Sequence, residues 1–393
     1  MEELADQFFY AGDSHAALAW EWNLKAAKFA SSIYLFEKAE WRLEIAQKFA
    51  LTNEQNTTIE VEKLQLLGRK ADVKRDVGLS DKCLNACLEW EKSHEELNPE
   101  VKLIILRMRH QLALEKDKSK KTKEIAKELW NDNILEADRL IKYSKENLKE
   151  DLSTADIITA EAIQFQALAN DRIGDTERVL SLFSEAENRI AKTGSPETQL
   201  LRARILDSHA WALLFSLGRV EDAEVLFEES LQCKKLYQDK TGMAISTAGL
   251  AICASKMGDT QKSLDLYLQA RLLNNETGSY EFEVSNLLEI IKAQQILGNE
   301  NAVSDAIKEA KEILESGQIT DLADLNNLKG ELEVRILLGI IKDQQIPGNK
   351  NAVSGTIKEA REILESGQIT NLDVLNSLKG ELRKIEKQTL PEG

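Results

Sequence analysis

Two cysteines and a histidine form the first pattern in the sequence that could carry chemistry. Cys83 and Cys87 are four residues apart and His94 follows, so all three lie within about 40° on one face of a continuous helix. Zn²⁺ takes Cys and His ligands, but one tetrahedral ion needs them within a few Å of each other. At ~1.5 Å per residue, Cys83 and His94 are roughly 16 Å apart along the axis. We therefore expect buried structural cysteines and no metal site.

Motifs for nucleophilic catalysis and phosphate binding are the next candidates. Residues 94–98, HEELN, begin like the helix of a zinc protease but place Asn98 where the second His ligand is required. His15, His110 and His209 have no Cys, Ser or His at a spacing that suggests a nucleophile with its base. No G-x-x-x-x-G-K-[ST] occurs, so this chain alone is not expected to hydrolyse ATP. We expect a protein without catalytic residues or cofactors.

Composition indicates which elements would have to position any site. Only 4 of 393 residues are Pro, 42% are hydrophobic and 30% are charged, which predicts a chain that is helical nearly throughout. The net charge of −16 argues against binding to nucleic acid phosphates. Four scattered cysteines favour a reducing compartment, and no stretch approaches the ~18 apolar residues of a membrane span. We expect a cytoplasmic protein that binds neither nucleic acid nor membrane.

A long internal duplication occupies the C-terminal part of the chain. Residues 289–333 recur fifty positions later as residues 339–383, and 33 of the 45 aligned positions are identical. A closed domain core rarely accepts a duplicated internal segment, whereas a stack of helical hairpins accepts one by adding an interface. The duplication therefore predicts an open array of hairpins.

A weaker repeat runs through residues 155–383. In each instance an apolar stretch ends at a Gly, and a small residue, a large apolar or aromatic residue and another small residue follow it at five, nine and twelve positions. Gly tolerates the positive φ that ends a helix, and the later positions share one face of the next helix. The instances are Gly174, Val179, Phe183, Ala186; Gly218, Ala223, Phe227, Ser230; Gly258, Ser263, Tyr267, Ala270; Gly298, Val303, Ile307, Ala310; and Gly348, Val353, Ile357, Ala360.

This pattern resembles the tetratricopeptide repeat (TPR), in which a Gly-Asp or Gly-Asn turn precedes a small residue, then Tyr or Phe, then Ala. The matching turns are Gly12-Asp13, Gly174-Asp175, Gly258-Asp259, Gly298-Asn299 and Gly348-Asn349. The Gly-to-Gly intervals are longer than the 34 residues of the common TPR. The resemblance implies an all-α, right-handed superhelix of about nine or ten helical hairpins.

Four segments follow from the repeats. We predict TPR-like hairpins over residues 1–50, divergent helical hairpins over 51–154, TPR-like repeats including the duplication over 155–383, and a tail over 384–393. Pro196 is expected in the first turn of a helix, where its missing N–H costs nothing.

The TPR resemblance also assigns a binding surface. In that family the first helix of each repeat lines a concave surface that contacts a peptide or helix of a partner protein. Apolar anchors at Phe215 and Ile252 beside the cations Lys256 and Lys292 would suit an amphipathic helix or extended segment that carries some acid. The residues assigned to this surface are Gln164, Arg172, Ser208, Phe215, Ile252, Lys256, Lys292 and Gln295.

Three functions are compatible with these patterns. The first is a non-catalytic scaffold that binds a partner protein on its concave surface. The second is a sensor or regulatory arm, because residues 8–50 resemble the first repeats of bacterial signalling ATPases (STAND-type) and cyclase-associated proteins; the catalytic module would then be on another chain. The third is an enzyme whose site is assembled from distant repeats. We expect the scaffold.

Overall fold

The computed structural model is helical, with no strand in the part of the chain that it describes. That part comprises residues 2–11, 15–32, 35–74, 77–94, 97–117, 122–148, 152–190, 196–319, 322–343, 350–369 and 372–389.

Eighteen helices lie within these ranges. They are α1 (Glu2–Tyr10), α2 (Ala16–Ser32), α3 (Phe36–Lys48), α4 (Asn53–Lys74), α5 (Val77–Ser93), α6 (Pro99–Asp117), α7 (Lys123–Asn147), α8 (Leu152–Ile173), α9 (Thr176–Ile190), α10 (Pro196–Phe215), α11 (Val220–Leu236), α12 (Lys240–Lys256), α13 (Thr260–Thr277), α14 (Tyr280–Leu297), α15 (Glu300–Glu315), α16 (Leu322–Asp343), α17 (Lys350–Glu365) and α18 (Leu372–Thr389). Most consecutive helices pack against each other, and the fold is an all-α, TPR-like solenoid. As predicted, Pro196 opens a helix.

The predicted glycine turns separate the paired helices. Gly174, Gly218, Gly258 and Gly298 have φ of 90°, 67°, 86° and 74°, the left-handed region that glycine enters without a Cβ clash. Asp259 then caps α13, because its side chain accepts the backbone N–H of Lys262 at 2.9 Å. The turns predicted at residues 12–13 and 348–349 lie outside the described residues.

The second helix of each hairpin buries the face that the repeat predicts. Phe183 and Phe227 are fully buried, and Tyr267 is 4% exposed. Small residues flank each of them, and their burial lets the paired helices approach closely. These flanking residues are Val179, Ala186, Ala223, Ser230, Ser263 and Ala270, all buried. The predicted core face is therefore confirmed in these three hairpins.

The chain divides into two compact units. Unit 1 comprises residues 1–115 and 125–169, and unit 2 comprises residues 116–124 and 170–393. In unit 1, helices α2 and α3 meet through alanines that are at most 2% exposed, so the two backbones approach closely. These alanines are Ala19, Ala26, Ala27, Ala30, Ala39 and Ala46. The segment boundaries predicted at residues 50, 154 and 383 stay predictions.

Unit 2 alternates between two sets of helices. In one set, helices that are two apart in the sequence contact each other: α10 contacts α12, α14 contacts α16, and α16 contacts α18. We call this set, α10, α12, α14, α16 and α18, the inner helices. The outer helices are α11, α13, α15 and α17. Of the residues assigned to a partner-binding surface in this unit, Arg172 lies on α8 and the others lie on the inner helices α10, α12 and α14.

The duplication supplies a matched pair of glycines for a stability test. A Cβ on Gly330 of α16 would lie 2.8 Å from Cγ1 of Ile369, whereas nothing lies within 4 Å of a Cβ on the equivalent Gly380 of α18. We expect Gly330→Ala to lower the free energy of unfolding by about 1–3 kcal/mol through overpacking. Gly380→Ala should raise it by about 0.5–1 kcal/mol, because alanine is the better helix former. Urea unfolding followed by circular dichroism measures both, and equal effects would contradict the packing described.

Candidate functional site

An exposed aromatic residue on the inner helices, Phe215, lies at the C-terminal end of α10. Trp211 and Phe215 are four residues apart and therefore share a face of the helix. Their rings stack, with centroids 5.6 Å apart and planes 10° apart. The edge of Trp211 packs against the buried ring of Phe227 on α11, 4.8 Å away. The ring of Trp211 is thus supported by Phe227, whereas the ring of Phe215 is 63% exposed to solvent.

Helix α12 completes this site. Nζ of Lys256 lies 5.6 Å from the centroid of the Phe215 ring, a cation–π contact worth about 0.5–1 kcal/mol at an exposed position. Ile252, one turn earlier, is half-buried and packs with Trp211 against the same core cluster. We call Trp211, Phe215, Ile252 and Lys256 the Phe215 cluster. It combines an exposed aromatic ring, an aliphatic edge and one cation.

A buried ion pair links α10 and α12, the two helices that carry the Phe215 cluster, through α11. Lys234 of α11 is 1% exposed and pairs with Asp207 of α10. Nζ of Lys234 also donates to the carbonyl oxygen of Gly242 at 3.2 Å and to Oγ of Ser246 at 3.0 Å, both on α12. Ser246 in turn donates to Asp207 at 2.8 Å. Burial raises the pKa of Asp207, and Lys234 opposes that rise.

Lys292 and Gln295, the predicted site residues on α14, make contacts within unit 2. Nζ of Lys292 lies 3.8 Å from Glu289 on its own helix and 3.7 Å from Oε1 of Glu381 on α18. Nε2 of Gln295 donates to the carbonyl oxygen of Arg335 on α16 at 3.4 Å. The side chain of Lys292 therefore contacts α18, and the side chain of Gln295 contacts α16.

The charges around Lys292 are organised by a buried arginine. Arg335 is 5% exposed and donates to Glu289 at 2.9 Å and to Glu331 at 2.7 Å. Burial raises the pKa of Glu331, although Arg335 opposes the rise. Fifty positions after Arg335, just beyond the duplicated segment, the chain carries Ile385, so Glu381 has no arginine four residues after it and lies near Lys292.

The other predicted site residues are dispersed. Gln164 belongs to unit 1 and is 8% exposed. Arg172 is exposed in the last turn of α8. Oγ of Ser208 donates to the carbonyl oxygen of Arg204 one turn earlier at 3.1 Å. Of the eight predicted residues, the structure brings Phe215, Ile252 and Lys256 together in the Phe215 cluster.

Trp211 is the member of this cluster that the TPR register does not assign. The sequence nevertheless carries a signal for it, because an aromatic residue four positions before the exposed Phe215 falls on the same helical face. The TPR register assigns only fixed positions of the repeat to the surface, and Trp211 is not at one of these positions.

The cysteine and histidine pattern has a structural role. Cys83 and Cys87 are fully buried in a core cluster with Ile104 and Met108 of α6, as expected. A hydrogen bond with Cys83, followed by burial, raises the pKa of Cys87. His94 stacks on Trp90 with centroids 3.8 Å apart. Within the described ranges, no group of three or more His, Cys, Asp or Glu residues is placed to hold a metal ion.

Helix length and polarity also bear on membrane contact. Across the helices of the described residues, none is both long enough and apolar enough to cross a bilayer.

Comparisons with known proteins identify the fold. No protein-family model matches the chain, and no curated protein matches it. Two solved structures are similar over nearly their whole length. The apo form of RapI shares 15% identity at a TM-score of 0.53, and a Rap protein complexed with competence and sporulation factor shares 14% at 0.55. Each comparison covers 94% of this chain and 98% of the other. At this identity the likeness establishes a shared helical-repeat fold.

Proposed function

We propose that this chain is a non-catalytic scaffold that binds a peptide or helix of a partner protein on the inner helices of unit 2. The observation that carries the proposal is the Phe215 cluster, in which a 63% exposed aromatic ring is held by Trp211 beneath it and by Lys256 beside it. An exposed aromatic side chain in a supported position is typical of the residues that dominate binding energy at interfaces.

Two further observations support this function. The buried Asp207–Lys234 pair and its hydrogen bonds to α12 hold the inner helices in a fixed arrangement, so little ordering entropy is lost when a ligand binds. One of the two similar structures is described as a Rap protein complexed with competence and sporulation factor. A protein of this fold therefore forms a complex, which supports a binding role for this chain.

Affinity capture tests the scaffold. The tagged chain and the variant Phe215→Ala/Lys256→Glu would be incubated with an extract of the source cells, and bound proteins identified by mass spectrometry. We expect a protein that the wild type retains and the variant loses, because the variant removes the ring and reverses the charge. The matched control is Lys235→Glu/Leu236→Ala, which makes the same kinds of change at exposed positions on outer helix α11.

The outcomes separate the candidate functions. Loss from the double variant together with retention by the control supports the scaffold and locates its surface. Retention of the same protein by all three chains would contradict this location. An ATPase or cyclase retained by all three would favour the sensor arm, in which the catalytic module lies on another chain.

A further inference from the structure

The cations of unit 2 differ in what neutralises them. Lysines on four helices of this unit lie near carboxylates: Lys234 at Asp207, Lys240 at Glu276, Lys262 at Glu224, and Lys292 at Glu289 and Glu381. Lys256 is exposed, and among the described residues its contact is the ring of Phe215. It is therefore a cation that the fold leaves without a carboxylate on the binding surface.

The C-terminal part of the chain is acidic. Residues 151–393 contain 39 acidic and 26 basic residues, so acidic residues outnumber cations around this surface. Exposed charges more than ~10 Å away are largely screened at physiological ionic strength. At the Phe215 cluster the charge in contact with the exposed ring is that of Lys256, and a cation at this position favours a carboxylate.

The molecule contains an internal example of this recognition. Glu381 of α18 approaches Lys292 of α14 to 3.7 Å, so a carboxylate on one helix meets a lysine on an inner helix of the array. Lys256 of α12 has no such carboxylate among the described residues. Lys292 and Gln295 contact α18 and α16, whereas Phe215 and Lys256 are exposed on α10 and α12.

We infer that the Phe215 cluster binds a partner segment in which an acidic side chain, placed on Lys256, lies next to an apolar side chain that covers Phe215. This inference rests on the proposed function and specifies its partner as an acidic, apolar peptide. The apolar side chain would bury the exposed ring between Trp211 and Ile252. The acid would add a charge-assisted contact to Lys256, next to the low-dielectric ring.

Selection from a random peptide library displayed on phage tests the inference without a known partner. The library would be selected on the wild type, on Lys256→Glu, on Phe215→Ala and on the control Lys235→Glu/Leu236→Ala. We expect the wild type and the control to enrich peptides in which Asp or Glu neighbours an aliphatic or aromatic residue. Lys256→Glu should enrich Lys or Arg at the same place, because the charge that it presents is reversed.

Affinities of the enriched peptides give the quantitative result. We expect the best acidic peptide to bind Lys256→Glu and Phe215→Ala each about tenfold or more weakly than the wild type, with the control unchanged. The affinity of this peptide for Lys256→Gln should lie between its affinities for the wild type and for Lys256→Glu. Both positions are exposed, and far-UV circular dichroism with a melting curve checks that each variant is folded.

Each other outcome has a defined meaning. If the enriched peptides bind Lys256→Glu and Phe215→Ala as tightly as the wild type, the inference is overturned. The proposed scaffold would then remain, with a different binding surface. No enrichment on the wild type would count against both. A dimer in sedimentation that Phe215→Ala abolishes would show that a second copy of this chain occupies the cluster, and would overturn the peptide assignment.

Discussion

Lys234→Met is expected to lower the free energy of unfolding by about 3–5 kcal/mol, because removing one partner of a buried ion pair leaves an uncompensated charge. Asp207 would keep the hydroxyl of Ser246 as a hydrogen-bond donor but lose its cation. The neighbouring Lys235→Met is the matched control. Lys235 is exposed, so its change should stay within about 0.5 kcal/mol. Urea unfolding at pH 7.5 measures both.

A second substitution and the pH dependence identify the cause. Adding Asp207→Asn to Lys234→Met removes the orphaned charge and should recover more than half of the loss. Burial already raises the pKa of Asp207 above its unfolded value of ~3.9. A carboxyl group whose pKa is raised in the folded protein stabilises the fold at pH values below its unfolded pKa. This stabilisation is lost as the pH rises through the folded pKa. The gap between the single and double variants should therefore widen from pH 4 to pH 7.5, and a constant gap would contradict this cause.

Phe227→Ala is expected to cost about 3–5 kcal/mol, the usual range for emptying a fully buried aromatic site. The ring of Phe227 lies against Gly249 of α12, where a Cβ would come within 2.6 Å of Cε1 and Cζ. Gly249→Ala alone should therefore cost about 1–3 kcal/mol by overpacking. In Phe227→Leu/Gly249→Ala the added methyl fills part of the released space. A double-mutant cycle should give a cost for this double variant below the sum of the costs of Phe227→Leu and Gly249→Ala measured singly.

The same change has a spectroscopic consequence. The ring of Phe227 supports the edge of Trp211. Phe227→Ala should therefore alter the fluorescence of Trp211 and weaken any ligand held by the Phe215 cluster, while Phe183→Ala, an equally buried change in another hairpin, should leave that ligand in place after correction for stability. Equal loss of ligand in both variants would show that the effect is only one of folding.

The helical-repeat fold could be predicted from the sequence because its signals are local. Gly258 and Gly298 end helices where the spacing places them, and Phe183, Phe227 and Tyr267 face the core as the repeat requires. A glycine with positive φ and a large residue nine positions later are defined within one hairpin. No information about distant parts of the chain is needed to interpret them.

The site was predicted less completely, because it depends on contacts between hairpins. Phe215, Ile252 and Lys256 come together on neighbouring inner helices, as the TPR register implies. The side chains of Lys292 and Gln295 are engaged by α16 and α18, and the curvature that brings Glu381 to Lys292 has no signature in the sequence. Burial of Lys234 was equally unpredictable, since composition does not show which lysine has a carboxylate opposite it.

The duplicated segment repeats an interface as well as a sequence. Leu288 and Ile291 of α14 pack with Ala310 and Leu314 of α15, and Leu338 and Ile341 of α16 pack in the same way with Ala360 and Leu364 of α17. Deleting residues 299–348 would join α14 directly to α17 and present the same side chains to each other. Recombination between the coding segments of the two copies would then lengthen or shorten the protein in steps of fifty residues without creating a new interface. Repeat number is thus a heritable property that can vary independently of the residues on α10 and α12.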